Sequence, residues 1–494
     1  MRTHVEVKLA AMKVTALLAC LPLLAPTADA AESGDGLRQF LASRAARDTE
    51  VARSIWGWAE VGYQEVQSSA LLQQELAAAG FKVEAGVAGI PTAFVASAGQ
   101  GEPVIGILAE FDALPGFSQE AVPEPKPIAG KMAAHACGHH LFGTASVSAA
   151  IALADWLKRS RTSGTIRLYG TPAEEGGAAK VYMTRAGLFN DVDTVMHWHS
   201  SDVNAAGLDR SIANKTAKFR FHGQSSHASG APDRGRSALD GIEAMNYMVN
   251  LMREHVPSDA RLHYVITNGG SAPNVVPAFA ESYYYVRHPD PRMVEQIFER
   301  VVKAAEGAAQ GTGTRVEYEV IGGVYSMLPN ETLSRVMHAK LGEVGGFAYT
   351  AEEQAFAEKL YATLNAPNMA LGTQAQVQDF DFQRPGVGST DVADVSWTVP
   401  TVGMRGATWV PGTSAHSWQA AAAGGMSIGF KGMQVASQTL ALMGRELFTR
   451  PKLIEKARAE FLERRGPDFQ YRPMLGDRAP ALDYRRGVAG GGEE

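Results

Sequence analysis

The order of elements between residues 213 and 330 constrains the fold of this 494-residue chain more than any other feature. Strand-like and helix-like patterns follow one another there as β-α-β-β-α-β, the split βαβ arrangement. The six segments are 218–221, 237–255, 261–267, 281–287, 291–309 and 315–321. We therefore predict a complete small domain, inserted into a larger one.

Buried strand patterns alternate with helical ones around this insertion. A run of apolar residues and glycine at 104–108 and a second strand candidate at 165–169 flank a small-residue helical pattern at 141–157. Buried strands joined by helices indicate an α/β layer with a central, mostly parallel sheet and helices on both faces. The predicted fold class is therefore α/β, with a ferredoxin-like α+β insertion.

The domain boundaries follow from these patterns and from the composition of the two ends. The last helix is expected over 421–448, and charge, proline and glycine accumulate after Arg450. We expect disorder from Arg485 to Glu494. The predicted ranges are a signal peptide at 1–30, a larger domain in two parts at 31–212 and 331–450, the insertion at 213–330, and a C-terminal tail at 451–494.

The charge of the chain argues against a nucleic-acid partner. Its net charge is only -6, from 46 basic and 52 acidic residues, and no basic concentration stands out. Nucleic-acid-binding domains usually carry a basic patch or stripe. We expect a small-molecule or peptide partner instead.

The first 30 residues resemble an export signal in their pattern. Lys13 precedes the apolar run 14–25, and Ala28-Asp29-Ala30 fits the small-x-small cleavage pattern. No later run reaches the ~20 apolar residues that a membrane helix needs. We therefore expect an exported protein, periplasmic or secreted, with lipidation at Cys20 as the less favoured alternative.

Four short clusters contain residues that could bind metal or transfer protons. They are His135-Ala136-Cys137-Gly138-His139-His140, Pro172-Ala173-Glu174-Glu175-Gly176-Gly177, Met196-His197-Trp198-His199 and Ala415-His416-Ser417-Trp418. Each cluster alone has an ordinary structural explanation, such as polar residues at the first turn of a helix. Thiolate, imidazole and carboxylate groups at several strand ends and loops of one α/β layer instead favour a shared metal site.

The clusters and three further motifs resemble, in order and spacing, the metallopeptidase superfamily of aminoacylases and glutamate carboxypeptidases. The further motifs are Glu110-Phe111-Asp112-Ala113-Leu114-Pro115, Ser225-Ser226-His227-Ala228 and Asn274-Val275-Val276-Pro277. Within it, the chain looks like the branch that holds the B subunit of p-aminobenzoyl-glutamate hydrolase and the indole-acetyl-amino-acid hydrolases. The likeness extends from about residue 37 to about residue 448.

The resemblance implies a metal-dependent amidohydrolase that cleaves the amide bond of an N-acyl amino acid or dipeptide. It implies two divalent ions, Zn or Mn, and a general base, Glu174. The ligands carried over are Cys137, His139, Glu175, His199 and His416. Because His197 lies two residues before His199, it remains an alternative ligand.

The resemblance also implies roles for four residues outside the ligand set. Asp112 looks like the carboxylate that orients a ligand histidine. His227 resembles the residue that crosses a homodimer interface to stabilise the oxyanion, and this would make the insertion a dimerisation or lid domain. Asn274 and Arg287 resemble positions that bind the substrate carboxylate.

Two segments depart from the common family pattern, and two other classes of protein stay open. His140 stands where many members have Asp, and Gly388-Ser389-Thr390-Asp391-Val392 replaces the commoner Gly-Ser-Glu-Asp-Phe. A cysteine hydrolase would use Cys137 as its nucleophile. A periplasmic binding protein is also exported and has two domains, but it needs no such collection of metal ligands.

Overall fold

The structure is a computed structural model that describes residues 34–383 and 388–488. The expected signal peptide and Cys20 lie outside these residues. The strands, in chain order, are β1 (Lys82–Ala85), β2 (Phe94–Gln100), β3 (Val104–Ala109), β4 (Leu114–Pro115), β5 (Ala133–Ala134), β6 (Gly164–Gly170), β7 (Thr194–Met196), β8 (His199–Ser201), β9 (Ala213–His222), β10 (Arg261–Asn268), β11 (Phe279–His288), β12 (Arg315–Val324), β13 (Thr401–Val402) and β14 (Arg405–Ala407).

Twelve α-helices lie within the described ranges. In chain order they are Gly34–Trp58, Val66–Ala78, His139–Ser160, Ala179–Arg185, Ala238–Met252, Pro291–Thr312, Glu331–Val344, Ala351–Tyr361, Val392–Ser396, Trp418–Gly424, Ser427–Thr449 and Pro451–Arg465.

The larger domain is built on a six-stranded sheet with the order β1-β2-β6-β3-β7-β13. Strands β6, β3, β7 and β13 are parallel, and the antiparallel pairs are β1 with β2 and β2 with β6. The helix His139–Ser160 packs against β3 and β6 and against the helices Gly34–Trp58 and Ser427–Thr449. The prediction of a mostly parallel sheet covered by helices is confirmed.

The insertion forms a separate antiparallel sheet with the order β10-β11-β9-β12. Its two helices, Ala238–Met252 and Pro291–Thr312, pack against this sheet and against each other. All six predicted elements are present, and the β-α-β-β-α-β order is therefore confirmed. The exact domain boundaries stay a prediction, although β9 begins at Ala213.

One helix of the larger domain has the length and composition of a membrane span, although the sequence predicted none. It is His139–Ser160, and most of it is buried inside the protein. Its small residues allow close packing; Gly143, for example, approaches the carbonyl of Glu110. We assign the apolar character of this helix to its position in the core.

The expected last helix at 421–448 is divided into Trp418–Gly424 and Ser427–Thr449. At the break, the indole N–H of Trp56 donates to the carbonyl of Ala421 at 3.1 Å, and this oxygen also accepts the N–H of Gly425. The same ring lies against Gly425, where a β-carbon would come within 2.5 Å of it. A side chain of the first helix, 365 residues earlier in the chain, therefore packs against this break.

The sequence analysis expected a C-terminal tail after Arg450, but the described part of this segment packs against the rest of the protein. It forms the helix Pro451–Arg465, and Met474 and Leu475 are buried beyond it. Arg485, expected to be disordered, donates a hydrogen bond to the carbonyl of Glu175. Composition suggested a tail because local polarity does not reveal distant contacts. Residues 489–494 lie outside the described part of the chain.

Candidate metal centre

The carboxyl ends of three neighbouring parallel strands carry the acidic and histidine clusters. Glu110 and Asp112 follow β3, Glu174 and Glu175 follow β6, and His199 follows β7 at the start of β8. Carboxyl ends of parallel strands meet at one edge of a sheet, where α/β proteins bind their ligands. The topology therefore brings together residues that are far apart in the sequence.

The Cys137-Gly138-His139 segment enters this edge at the start of the helix His139–Ser160. Gly138 caps the helix with a left-handed φ of 77°, a conformation that glycine adopts without strain. A β-carbon at Gly138 would lie 2.3 Å from Oγ of Ser200. Glycine thus allows the helix to start against β8, with Cys137 and His139 on either side of the turn.

Within the described ranges, three overlapping groups of side chains could hold metal ions. They are Cys137 with His139 and His199, Cys137 with Glu175 and His416, and Glu110 with His139 and Glu174. Within each group the ligand atoms all lie within 4.8 Å of one another. Cys137 and His139 each belong to two of these groups. All five predicted ligands are therefore brought together.

Several potential ligand atoms in this cluster lack hydrogen-bond partners within the protein, as expected of atoms that bind a metal. Nε2 of His139 and Oε1 of Glu175 are buried without a hydrogen-bond partner. Oε1 of Glu175 lies 2.9 Å from Nε2 of His416 without forming a hydrogen bond of acceptable geometry. Buried polar atoms are usually satisfied, and sulfur, imidazole and carboxylate ligands suit zinc and similar ions. The residues present therefore fit a metal centre.

The backbone at His416 is also held in an uncommon conformation. Its φ is 57°, in the left-handed region, which is unfavourable for a side chain with a β-carbon. Its N–H donates to the carbonyl of Ala136 at 2.9 Å. This hydrogen bond ties the His416 loop directly to the residue before Cys137.

The structure brings His199, and not His197, into the cluster. Nε2 of His199 lies 3.6 Å from Sγ of Cys137, while Nδ1 of His199 is 2.8 Å from the carbonyl of Ser200. Nε2 of His197 lies 3.4 Å from a carboxylate oxygen of Asp209 instead. The alternation of side chains along an extended segment does not separate two histidines at i and i+2. Here β7 ends at Met196, and His199 begins β8, which pairs with a different strand.

Burial raises the pKa values of Glu174, the predicted general base, and of Cys137, a predicted ligand. It raises the pKa of Glu174 well above its usual range, and the charges of Glu110 and Glu175 raise it further. Burial also raises the pKa of the Cys137 thiol, with Glu175 adding to the effect. A thiol with a raised pKa is a poor nucleophile. The cysteine hydrolase alternative is not favoured.

Sequence reasoning missed a buried ionic network beside the cluster. Nζ of Lys180, which is fully buried, lies 2.8 Å from Glu110 and 2.7 Å from Asp391. Although burial disfavours its charge, these carboxylates raise the pKa of Lys180 above its usual value. The sequence offered two signals for this network. Glu110 lies two residues before Asp112, after β3, and Asp391 lies in the segment 388–392, which departs from the common family pattern.

A cavity of about 310 Å³ opens beside Glu174 and Glu175. Arg287 lines it from the insertion, with its guanidinium 5.1 Å from the ring centre of Tyr285. Nε of Arg287 is buried without a partner. Other residues that line the cavity are Asn214, Thr216, Tyr283, Ser389, Thr390 and Asp391.

His227 and Asn274 are not brought to this cavity within one chain. Both are exposed on the insertion, where Nδ1 of His227 accepts backbone N–H groups of Ser229 and Gly230. The carbonyl of Asn274 accepts the N–H of Ala228 at 3.0 Å. The two residues are neighbours on one exposed surface.

Comparisons with known proteins agree with this architecture. The peptidase dimerisation domain of family M20 matches residues 213–312. The B subunit of p-aminobenzoyl-glutamate hydrolase from Escherichia coli is 39% identical over 440 residues, which cover 84% of this chain and 92% of that protein. The Xaa-Arg dipeptidase of Mus musculus is 29% identical over 427 residues, 83% of this chain and 88% of that protein.

A solved structure supports the fold independently. The crystal structure of a dinuclear metal-binding peptidase of family M20 from Bacillus subtilis superposes with a TM-score of 0.55 at 18% identity. The match covers 81% of this chain and 99% of that one. The chain therefore belongs to the M20 family of metal-dependent hydrolases that act on amide bonds, as a relative of the B subunit of p-aminobenzoyl-glutamate hydrolase.

Proposed function

We propose that this protein hydrolyses the amide bond of an N-acyl amino acid, an aminobenzoyl amino acid or a dipeptide. The observation that carries the proposal is the cluster of metal ligands beside a cavity that also holds Arg287. A guanidinium group with an unpartnered buried nitrogen suits a carboxylate. The substrate would thus present its amide to the cluster and its carboxylate to Arg287.

The ligands Cys137, His139, Glu175, His199 and His416 would hold two divalent ions. When bound, such ions polarise the amide carbonyl and lower the pKa of water from ~16 towards ~7. The thiolate ligand favours Zn, while Mn also accepts the imidazole and carboxylate ligands.

Glu174 serves as the general base. It takes a proton from the attacking water and delivers it to the amide nitrogen as the C–N bond breaks. Glu175, next in sequence, keeps its lone pairs for the metal; one carboxylate could not serve both purposes.

His227 and Asn274 act across a homodimer in this proposal. Both lie on the insertion, which matches a dimerisation domain. Strand β10 is an edge strand of the inserted sheet, and it exposes Val265 and Ile266. Exposed apolar residues at a strand edge favour association. His227 of one protomer would then reach the oxyanion in the other.

Localisation remains a proposal from the sequence, since residues 1–33 lie outside the described structure. The apolar run and the Ala28-Asp29-Ala30 site support export to the periplasm or the medium. Amino-terminal sequencing of the protein from fractionated cells tests it. A mature chain starting near Ala31 supports export, whereas an uncleaved chain in the cytoplasm contradicts it.

Hydrolysis of a substrate panel by protein reconstituted with Zn or Mn tests the proposed activity. The panel includes p-aminobenzoyl-glutamate, N-acetyl and N-benzoyl amino acids, and dipeptides ending in arginine. Glu174→Gln should lower kcat by ~10²- to 10⁴-fold with the metal content unchanged. Glu124→Gln, on an exposed loop, is the matched control and should retain activity. A fully active Glu174→Gln protein would refute the proposed mechanism.

A further inference from the structure

The C-terminal segment, residues 466–488, contacts both domains along its path to the metal centre. Near its start, the side chain of Tyr471 donates to Asp394 at 2.7 Å. Arg478 then donates to the carbonyls of Val320 and Ile321 in β12 at 2.7 and 2.6 Å. The segment is thus attached to both domains before it reaches the acidic turn after β6.

At that turn the segment contacts the carbonyl of Glu175. The hydroxyl of Tyr484 donates to this oxygen at 3.0 Å, and Nη2 of Arg485 donates to it at 2.6 Å. The ring of Tyr484 meets that of Tyr63 edge to face, with 5.6 Å between centroids. A β-carbon at Gly62 would lie 2.2 Å from the Tyr484 hydroxyl. Tyr484 is therefore packed closely against the turn.

The rest of the turn is held from inside the protein. The N–H of Glu175 donates to Asp112 at 2.9 Å, and the N–H of Ala173 donates to Glu65 at 2.8 Å. Ala173 and Gly176 both have left-handed φ values, 54° and 98°. A left-handed φ is unfavourable for alanine, so the turn at Ala173 depends on its surroundings to keep its shape. On its outer side, those surroundings are Tyr484 and Arg485.

We propose that Tyr484 and Arg485 are positioning residues that hold the turn bearing Glu174 and Glu175 from its outer side. Their two hydrogen bonds fix the Glu175 carbonyl and thereby the directions of both side chains. Release of this carbonyl would let the peptide rotate and would move Glu175 relative to Cys137 and His416. The mechanistic part of this inference rests on the proposed function; the effect on metal affinity does not.

The test measures metal affinity and steady-state kinetics in Tyr484→Phe, Arg485→Met and the combined variant. Zinc affinity is measured by competition with a chromophoric chelator, and the cobalt-substituted proteins are compared by visible absorption. Groups that support a metal ligand typically contribute ~10- to 100-fold to affinity or activity. We expect the combined variant to lose affinity in that range, to shift its cobalt spectrum, and to lose kcat more than it raises KM.

Two further variants distinguish positioning from a general effect on folding. Arg485→Lys keeps a donor and should recover part of the affinity lost in Arg485→Met. Arg486→Met alters the next residue, which is exposed, and should match wild type. If Arg485→Met failed to fold, Tyr484→Phe and Arg485→Lys would carry the comparison.

The outcomes separate this inference from the proposed function. The positioning role would be overturned if the combined variant kept the wild-type zinc affinity, cobalt spectrum and kcat. It would also be overturned if Arg486→Met lost as much zinc affinity as Arg485→Met. If the wild-type protein hydrolysed nothing in the panel, the proposed function would fail. The affinity and spectral comparisons would still decide the role of Tyr484 and Arg485.

Discussion

The carboxylate of Asp112 holds His139 in place: Nδ1 of His139 lies 2.9 Å from its Oδ1. Its second oxygen accepts the N–H of Glu175 at 2.9 Å. One buried side chain thereby orients the imidazole of one proposed ligand and the backbone of another. Burial alone would raise the pKa of Asp112, but its neighbours, chiefly His139, outweigh burial and lower this pKa to about 2.

Asp112→Asn should therefore weaken metal binding without removing a ligand. The amide can still accept from His139 through its oxygen, but its NH₂ group cannot accept the N–H of Glu175. Losses of ~10- to 100-fold in metal affinity or activity are typical of such changes. Competition with a chromophoric chelator measures the effect. Unchanged affinity and kcat would contradict the orienting role.

His199→Gln and His197→Gln form a matched pair that tests the ligand assignment. Only His199 approaches Cys137, whereas His197 approaches Asp209. Elemental analysis should find less bound metal in His199→Gln and wild-type stoichiometry in His197→Gln. The reverse pattern would show that His197 is the ligand.

Lys180→Met should destabilise the fold, because it leaves Glu110 and Asp391 buried without their cation. Removal of one partner from a buried ion pair typically costs about 3–5 kcal/mol. Urea unfolding measures the change in the free energy of unfolding. The exposed Lys158→Met serves as the control, with an expected change within about 0.5 kcal/mol. A similarly small change in Lys180→Met would contradict the importance of the network.

Asp394→Asn should change how stability depends on pH. Burial raises the pKa of Asp394 to about 7, against about 3.9 in an unfolded chain. Between these values the folded protein retains a proton that the unfolded chain has lost. The stabilising contribution of this group is thus present below about pH 4 and is lost as the pH rises through about 7.

The asparagine variant does not titrate, so its free energy of unfolding relative to wild type should rise between about pH 5 and pH 8. Urea unfolding at the two pH values measures this difference. The exposed Asp259→Asn should show a difference that does not depend on pH. A pH-independent difference for Asp394→Asn as well would place the pKa of Asp394 outside this interval.

Much of the fold was predictable, because it depends on local patterns. Strand and helix patterns fall at every element of the insertion, and the apolar run of β3 and the strand pattern of β6 indicate two strands of the central sheet. The break after Gly424 was not predictable, since the Trp56 side chain that packs against it comes from the first helix. Polar composition after Arg450 concealed the contacts of Tyr471, Arg478 and Arg485 for the same reason.

By itself, the sequence determined the chemistry of this protein: a thiol, histidines and paired carboxylates at strand ends, in an order that resembles a metallohydrolase family. Only the tertiary structure brought His199 rather than His197 next to Cys137, added Lys180 and Asp391 to the surroundings of Glu174, and brought Tyr484 and Arg485 to the carbonyl of Glu175. Residue types and their spacing define which ligands are available. Which of them meet depends on bends and long-range packing that no local pattern records.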